Sequence, residues 1–430
     1  MRNIPLHWQI GIAILLAVLA GILGGADGGI GGLSFISVYE FLGTIFLNAL
    51  KMLIVPLVMA SIISGMAGVG GDKLEKLGGK TLLFYASSSL IAILIGLAVV
   101  NIIAPGSGDN QALAATISSS DPELSDTLAK VEGRGMADVV QVFVRMVPTN
   151  VVAAAANGQM LGLIFFSLLF GFFLARSKSE HAATLMHFWQ GVMDIMTEIT
   201  MWVMKFAPLG VFGLVAKTVA ATGFAAFKPM LLFFFTALLA LLIHAFVALP
   251  LLLRYVGRVN PKAHFAAMTP AMLTAFSTAS SSATLPLTLE SIQEKSGVSK
   301  RVSGFVLPLG ATVNMDGTAL YECVAAMFIA QVYGLDLSWV QQFTVVIIAL
   351  LTSIGVAGIP AASLVAISVI LGAIGLPLEG IGLLLVTDRV LDMVRTAVNV
   401  FSDSCAAVII ARSEGAVADT HLTMPPTRIE

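Results

Sequence analysis

Charge is what this chain has least of. Only 11% of its 430 residues are Asp, Glu, Lys or Arg, where a water-soluble domain carries about 25%. Hydrophobic residues make up 57% of the chain and its mean hydropathy is +0.95, which excludes a large soluble enzyme and leaves an integral membrane protein. A formal net charge of −2 provides no basic surface for nucleic acid. Cysteine is nearly absent too: Cys323 and Cys405 both lie inside apolar segments, so they read as small core residues, with no disulfide framework or metal site implied.

Long apolar runs are what the chain has instead. A helix needs about 20 apolar residues to cross the hydrocarbon core. Runs at 8–25, 38–68, 81–104, 147–175, 187–216, 230–253, 302–333 and 380–411 predict eight crossings. Residues 9–24, which follow Arg2, have the form of a secretory signal, but the many spans after them make an uncleaved first transmembrane helix the better reading. Basic residues fall at Lys73, Lys76 and Lys80, at Arg176 and Lys178, and at Arg254, Arg258 and Lys262. Positive loops stay inside, so those loops and both termini are expected on the cytoplasmic side of the cell's inner (plasma) membrane. The polar, acidic 105–140 connection is expected outside.

Two apolar stretches do not fit as crossings. Residues 264–295 are interrupted by AFSTASSSATLP (275–286), and 337–378 by VAGIPAAS (356–363). Halves of 10–14 residues with a Gly/Pro break predict re-entrant hairpins, at 264–295 from the cytoplasm and at 343–378 from outside. Pro286 precedes Asn314 by 28 residues and Pro360 precedes Asp388 by the same 28. Two hairpin-plus-helix units entering from opposite sides predict inverted repeats with a site near the midplane.

Irregular backbone at membrane depth must line a cavity or lie within protein. Small hydroxyl residues suit hairpin tips, where helix N-terminal amides favour an anion; small-residue helix packing is the other reading of the serine run. In the last span, Asp388, Asp392, Arg395, Asn399 and Asp403 share one helical stripe bordered by Thr396, and everything between is apolar. Intramembrane ionisable groups mark substrate or ion paths. In the preceding span NMDGT (314–318) places Gly317 among Asn314, Asp316 and Thr318; the glycine predicts local unwinding, freeing carbonyls that with carboxylate and amide oxygens suit Na⁺. Asp316, Asp388, Asp392 and Asp403, with Glu322 as a fifth acid, outnumber Arg389 and Arg395, a deficit that calls for cations, protons or both. Arg395 has the planar fork for a carboxylate and Asp392 can take an ammonium, together fitting an acidic amino acid. An internal Arg395–Asp392 ion pair of purely structural purpose is the competing reading.

The segments KMLIVPLV (51–58), STASSSATLP (277–286), NMDGTALYE (314–322), GVAGIPAAS (355–363) and DMVRTAVNVFSD (392–403) resemble, in that order, the dicarboxylate/amino acid:cation symporter family. This family includes bacterial glutamate and aspartate transporters and the animal excitatory amino acid transporters, and the resemblance covers essentially the whole chain. It implies an all-α membrane protein that forms a homotrimer, each protomer having a scaffold and a transport domain that moves as an elevator. Residues 1–80 would be scaffold helices one and two, 81–104 the third helix in the transport domain, 105–140 an extracellular loop, 141–228 scaffold helices four and five, 229–412 the transport core and 413–430 a cytoplasmic tail.

By the same resemblance Arg395 with Thr318 would hold the substrate's side-chain carboxylate, Asp392 its amino group, and Asn399 with the amides near Ser281 its α-carboxylate. Thr396 would border them, and Ile359 to Ser363 would form the extracellular gate. Asn314 and Asp403 would form one Na⁺ site and Tyr85, Ser88, Ser89, Asn314 and Asp316 another. Glu322 sits where animal members carry a glutamate tied to proton and potassium coupling. Two departures stand out: Ala279 where some relatives have arginine, a charge Arg389 is placed to supply, and Ala283 where many have glycine. The implied activity is Na⁺-coupled import of glutamate and aspartate, with H⁺ as a further coupled ion and no organic cofactor; a proton-coupled C4-dicarboxylate symporter is the alternative. A passive channel would not need two opposed hairpins, and no histidine in the hairpin tips or last helix serves the serines as base for hydrolysis, so enzyme activity is not expected.

Overall fold

The computed structural model describes residues 6–25, 28–30, 33–67, 75–107, 144, 147–157, 160–222, 227–353, 362–376 and 380–417. Most of the 105–140 connection, Lys73, Ile359 and the end of the tail lie outside them. The described elements are helices apart from one short antiparallel pair, β1 (Gly29–Ile30) with β2 (Leu33–Ser34), registered Gly29 to Ser34, and an isolated antiparallel bridge between Val298 and Val417. It begins with α1 (Leu6–Gly24), α2 (Phe35–Ala67) and α3 (Glu75–Ile103), close to the three expected spans.

The next two expected spans are not single helices. The 147–175 run forms α4 (Val151–Ala156) and α5 (Met160–Arg176). Asn150 Oδ1 caps the start of α4, accepting from the amides of Val152 and Ala153 at 2.9 and 3.0 Å, and the helix stops at Asn157, whose amide closes on the carbonyls of Ala153 and Ala155. The 187–216 run forms α6 (Ala182–Met204) and α7 (Ala207–Thr222), bent by 53°. Pro208 explains the break: it has no N–H for the carbonyl of Met204, and its ring opposes that carbonyl.

The sixth run continues through α8 (Phe227–Ile243), a π turn (His244–Ala248) and α9 (Leu249–Tyr255). Pro250 stands just after the wide turn, where its missing N–H breaks the regular ladder. The first hairpin is α10 (Pro261–Thr278) and α11 (Ser281–Glu290), followed by a second π turn (Ser291–Lys295). The seventh run divides into α12 (Lys300–Val313) and α13 (Asp316–Val332). The second hairpin supplies α14 (Trp339–Ser353) and α15 (Ala362–Ile374), its turn lying outside the described residues, and α16 (Ile381–Ser413) is the last helix.

Among the described residues three helical stretches are long and apolar enough to cross a membrane, Leu77–Ile103, Lys228–Tyr255 and Thr387–Ser413, or four if the bent α6–α7 pair counts as one. Their surroundings differ: 83% of the Thr387–Ser413 window is buried inside the protein, against 39% for Leu77–Ile103. The polar stripe of α16 is therefore shielded by neighbouring helices. Helix α13 is buried along nearly its whole length and packs against α3, α8, α14, α15 and α16, while α10, α11 and α12 close on α16. Helices α1, α2, α5, α6 and α7 pack with one another, and α7 also meets α16.

A clasp fixes the C-terminal end of α16. Gly415 takes a left-handed conformation at φ +64°, the usual helix stop. Lys80 Nζ then donates to the Glu414 carboxylate and to Ser413 Oγ, and the amide of Ser299 donates to the carbonyl of Ala416 at 3.0 Å.

Candidate functional site

The serine run resolves into a turn with defined tasks. Ala279 ends α10 in the left-handed region at φ +49°, and Ser280 caps α11, its hydroxyl accepting from the amide of Ala283 at 3.2 Å. Ser277, Thr278, Thr284 and Thr288 each donate back to a carbonyl one turn earlier. Ser281, at the N-terminus of α11, is 4% exposed.

One polar centre gathers on the N-terminal half of α16. Arg395 is 1% exposed; its Nη1 donates to Asp388 Oδ1 at 3.1 Å and its Nη2 to Asp392 Oδ1 at 2.8 Å. The guanidinium lies over the Tyr321 ring, 3.9 Å from its centroid, and Tyr321 donates its hydroxyl to Asp388 Oδ1 at 3.0 Å. The internal ion pair considered from sequence is thus present, extended to a second carboxylate. Yet the buried Arg395 Nε has no partner. Arg389 does not stand alone at the serine hairpin's expected charge: its Nη1 is 3.4 Å from Asp392 Oδ2, and its Nε is buried without a partner. Thr396 donates to the carbonyl of Asp392 at 2.7 Å.

One turn further, Asn399 Nδ2 donates to Thr318 Oγ1 at 3.0 Å and Asn399 Oδ1 accepts from the amide of Gly317 at 2.8 Å. Gly317 therefore acts differently from expectation. The unwound residues are Asn314 and Met315, with ψ of 85° and 59°, while Gly317 sits in the first turn of α13. A β-carbon there would lie 2.9 Å from the carbonyl oxygen of Arg395, so the glycine permits α13 to approach α16 closely.

A second centre lies beyond it. Asn314 Nδ2 donates to Asp403 Oδ1 at 2.9 Å and to Ser402 Oγ at 3.1 Å; Ser402 in turn donates to Asp316 Oδ2 at 2.6 Å. Ser89 donates to Asp316 Oδ1 at 2.6 Å. The Ser88 hydroxyl has three oxygens within reach: Asp316 Oδ1 at 3.3 Å, Asn314 Oδ1 at 3.4 Å and the Tyr85 carbonyl at 3.3 Å. One proton cannot serve three acceptors, so oxygen lone pairs are in surplus, the environment a hard cation needs. Tyr85 donates its hydroxyl to the carbonyl of Val306 at 2.7 Å. Gly310 gives this cluster its closeness, since a β-carbon there would meet Asp403 Oδ1 at 2.4 Å and Tyr85 Oη at 2.8 Å.

Glu322 stands apart from both centres, fully buried, with Oε2 accepting from Thr352 at 2.9 Å and Oε1 unpartnered. Ser363 is 3% exposed with an unpartnered hydroxyl. Sequence reasoning missed Tyr321, Thr352, Ser402 and His244, whose Nε2 is 3.1 Å from Asp316 Oδ2. Tyr321 and Ser402 lie inside motifs already singled out, and His244 is an ionisable residue within an apolar run, the signal that should have found it.

Residues 6–413 match the family described as the sodium:dicarboxylate symporter family. The proton/sodium-glutamate symport protein of Bacillus caldotenax is 37% identical over 417 residues, 96% of each chain. The proton/glutamate-aspartate symporter of Escherichia coli (strain K12) is 35% identical over 96% of this chain and 94% of its own. Excitatory amino acid transporter 3 of Mus musculus is 34% identical, over 96% of this chain and 86% of its own.

Proposed function

From the premise that this chain belongs to the sodium:dicarboxylate symporter family, a family of transporters and not of enzymes, we propose that it imports glutamate and aspartate coupled to Na⁺. The observation that carries the reading is the buried Arg395: its two terminal nitrogens are held by Asp388 and Asp392 while its Nε lacks an acceptor. An acidic amino acid can exchange with this arrangement like for like. Its side-chain carboxylate takes a face of the Arg395 fork, aided by Thr318, and its ammonium takes the Asp392 oxygen released from Arg395. Asn399 and the amides at Ser281 then receive the α-carboxylate. Thr396, bonded to the Asp392 carbonyl, borders the substrate, and Ile359 to Ser363 close it off from outside.

Na⁺ is cargo in this scheme, carried at two positions. Tyr85, Ser88, Ser89, Asn314 and Asp316 make one, and Asn314 with Asp403 the other. The substrate brings a net negative charge to a region already short of positive charge, so its entry and that of cations favour one another. Glu322 and Arg389 adjust the charge balance. Residues 81–104 and 229–412 form the transport domain, which slides as an elevator against a scaffold formed by 1–80 and 141–228. The protein works as a homotrimer in the cytoplasmic membrane, with both termini inside.

Purified protein in liposomes tests this with radiolabelled aspartate, glutamate, succinate and serine under imposed Na⁺ or H⁺ gradients. Aspartate and glutamate uptake driven by an inward Na⁺ gradient is expected. Aspartate uptake indifferent to Na⁺ would remove the cation assignment, and succinate uptake driven by protons alone would replace the reading with a C4-dicarboxylate carrier.

A further inference from the structure

Both oxygens of the buried Asp316 carboxylate are met by donors. Oδ1 receives Ser89 at 2.6 Å and has the Ser88 hydroxyl at 3.3 Å; Oδ2 receives Ser402 at 2.6 Å and faces His244 Nε2 at 3.1 Å. These donors differ in kind. A serine hydroxyl turns about its Cβ–Oγ bond and offers a lone pair in place of its proton, so Ser88, Ser89 and Ser402 can each become a cation ligand where they stand. An imidazole N–H lies fixed in the ring plane and can only donate. Because Nε2 faces a carboxylate, that nitrogen carries the proton, and Nδ1 is buried without a partner. The ring is 0% exposed and belongs to the π turn His244–Ala248, a distortion that recurs at functional positions.

We infer that His244 is a positioning residue of the cation site: its fixed Nε2–H holds Asp316 Oδ2. Oδ1 is thereby left, beside Ser88, Ser89 and Asn314 Oδ1, as the oxygen a Na⁺ takes. Without that N–H the carboxylate can rotate and accept further hydroxyl protons, and the cation meets a site that must first be reassembled. The inference rests on Asp316 being a Na⁺ ligand.

The test uses full-length carrier in liposomes, with aspartate uptake measured against Na⁺ concentration and Na⁺-dependent thermal stabilisation measured on the purified protein without substrate. In His244→Gln the amide nitrogen reaches the place of Nε2; in His244→Asn it reaches only that of Nδ1. Loss of one hydrogen bond to a buried charge is expected to raise the half-saturating Na⁺ concentration by about tenfold in His244→Asn, with maximal uptake kept within about twofold. His244→Gln should stay within about threefold of the parent, as the donor is retained. Equal Na⁺ shifts in both variants, or lower maximal uptake at unchanged Na⁺ requirement, would overturn the inference. If His244→Asn does not fold, the Gln variant decides, and a shift there beyond about tenfold overturns it. Asp316→Asn separates the premise: an unchanged Na⁺ response in that variant removes the cation site itself, whatever the histidine variants do.

Discussion

The N-terminal and C-terminal halves of helix α16 handle buried charge by opposite means. In the N-terminal half, fixed charges of both signs touch: Arg395 joins Asp388 and Asp392, and Arg389 leans on Asp392. In the C-terminal half, Asp403 and its neighbour Asp316 on α13 are held by uncharged side chains, namely Asn314, Ser402 and Ser89, with His244 Nε2 facing Asp316 as well. Opposite charges at 4 Å attract by about 4 kcal/mol at an effective dielectric of 20, whereas each hydrogen bond to a charged group adds about 1.5–3 kcal/mol and leaves the charge in place. The N-terminal half is thus close to self-neutral, which fits the proposed zwitterion with an extra carboxylate. The C-terminal half keeps a negative surplus, which fits the proposed cations. One helix tolerates buried charge in two different ways.

That contrast breaks most sharply at Arg395. Arg395→Cys should lower aspartate and glutamate uptake by about 100-fold or more, since a buried charged pair is left open, with neutral amino acids gaining entry and Na⁺-dependent stabilisation intact. Unchanged aspartate affinity would take Arg395 out of the site. Asp403→Asn should act on the other half alone. It is expected to raise half-saturating Na⁺ by about tenfold or more, with aspartate affinity at saturating Na⁺ close to the parent; a weakened aspartate affinity instead would blur the division.

Gly317→Ala strikes the junction of the two halves. Its methyl group would lie 2.9 Å from the Arg395 carbonyl oxygen and 3.2 Å from Asn399 Oδ1, a crowding worth about 1–3 kcal/mol. A lower melting temperature together with weaker aspartate binding is expected, and a parent-like protein in both assays would show that α13 and α16 do not need their close approach. Tyr321→Phe gives the smallest change. The ring stays under Arg395 while the hydroxyl leaves Asp388, and aspartate affinity should fall by about fivefold, less than a full hydrogen bond to a charge is worth because Asp388 keeps Arg395 as its donor.

Much of this was legible in the chain itself. The stripe from Asp388 to Asp403 follows from spacings of 4, 3, 4 and 4 residues, and α16 carries it as one unbroken helix. The helix pairs α10–α11 and α14–α15 fall on the two apolar stretches in which the sequence predicted a break. What escaped depended on backbone detail. Pro208 bends a run that hydropathy joins, and the break in the seventh run fell at Asn314 and Met315, not at the glycine beside them. Asp388 was seen as a member of the stripe but not as a partner of Arg395, because seven residues separate them and a long arginine side chain must reach back along the helix. His244 was missed because one polar residue scarcely alters an apolar run, although burial makes its partner decisive.

Ala279 holds a left-handed backbone with a β-carbon attached, a posture that costs roughly 1–2 kcal/mol. A glycine would relax there and would also swing freely through conformations that alanine forbids. The turn between α10 and α11 therefore stands on a stiff pivot with few settings, which fixes the register in which Ser280 and Ser281 begin α11.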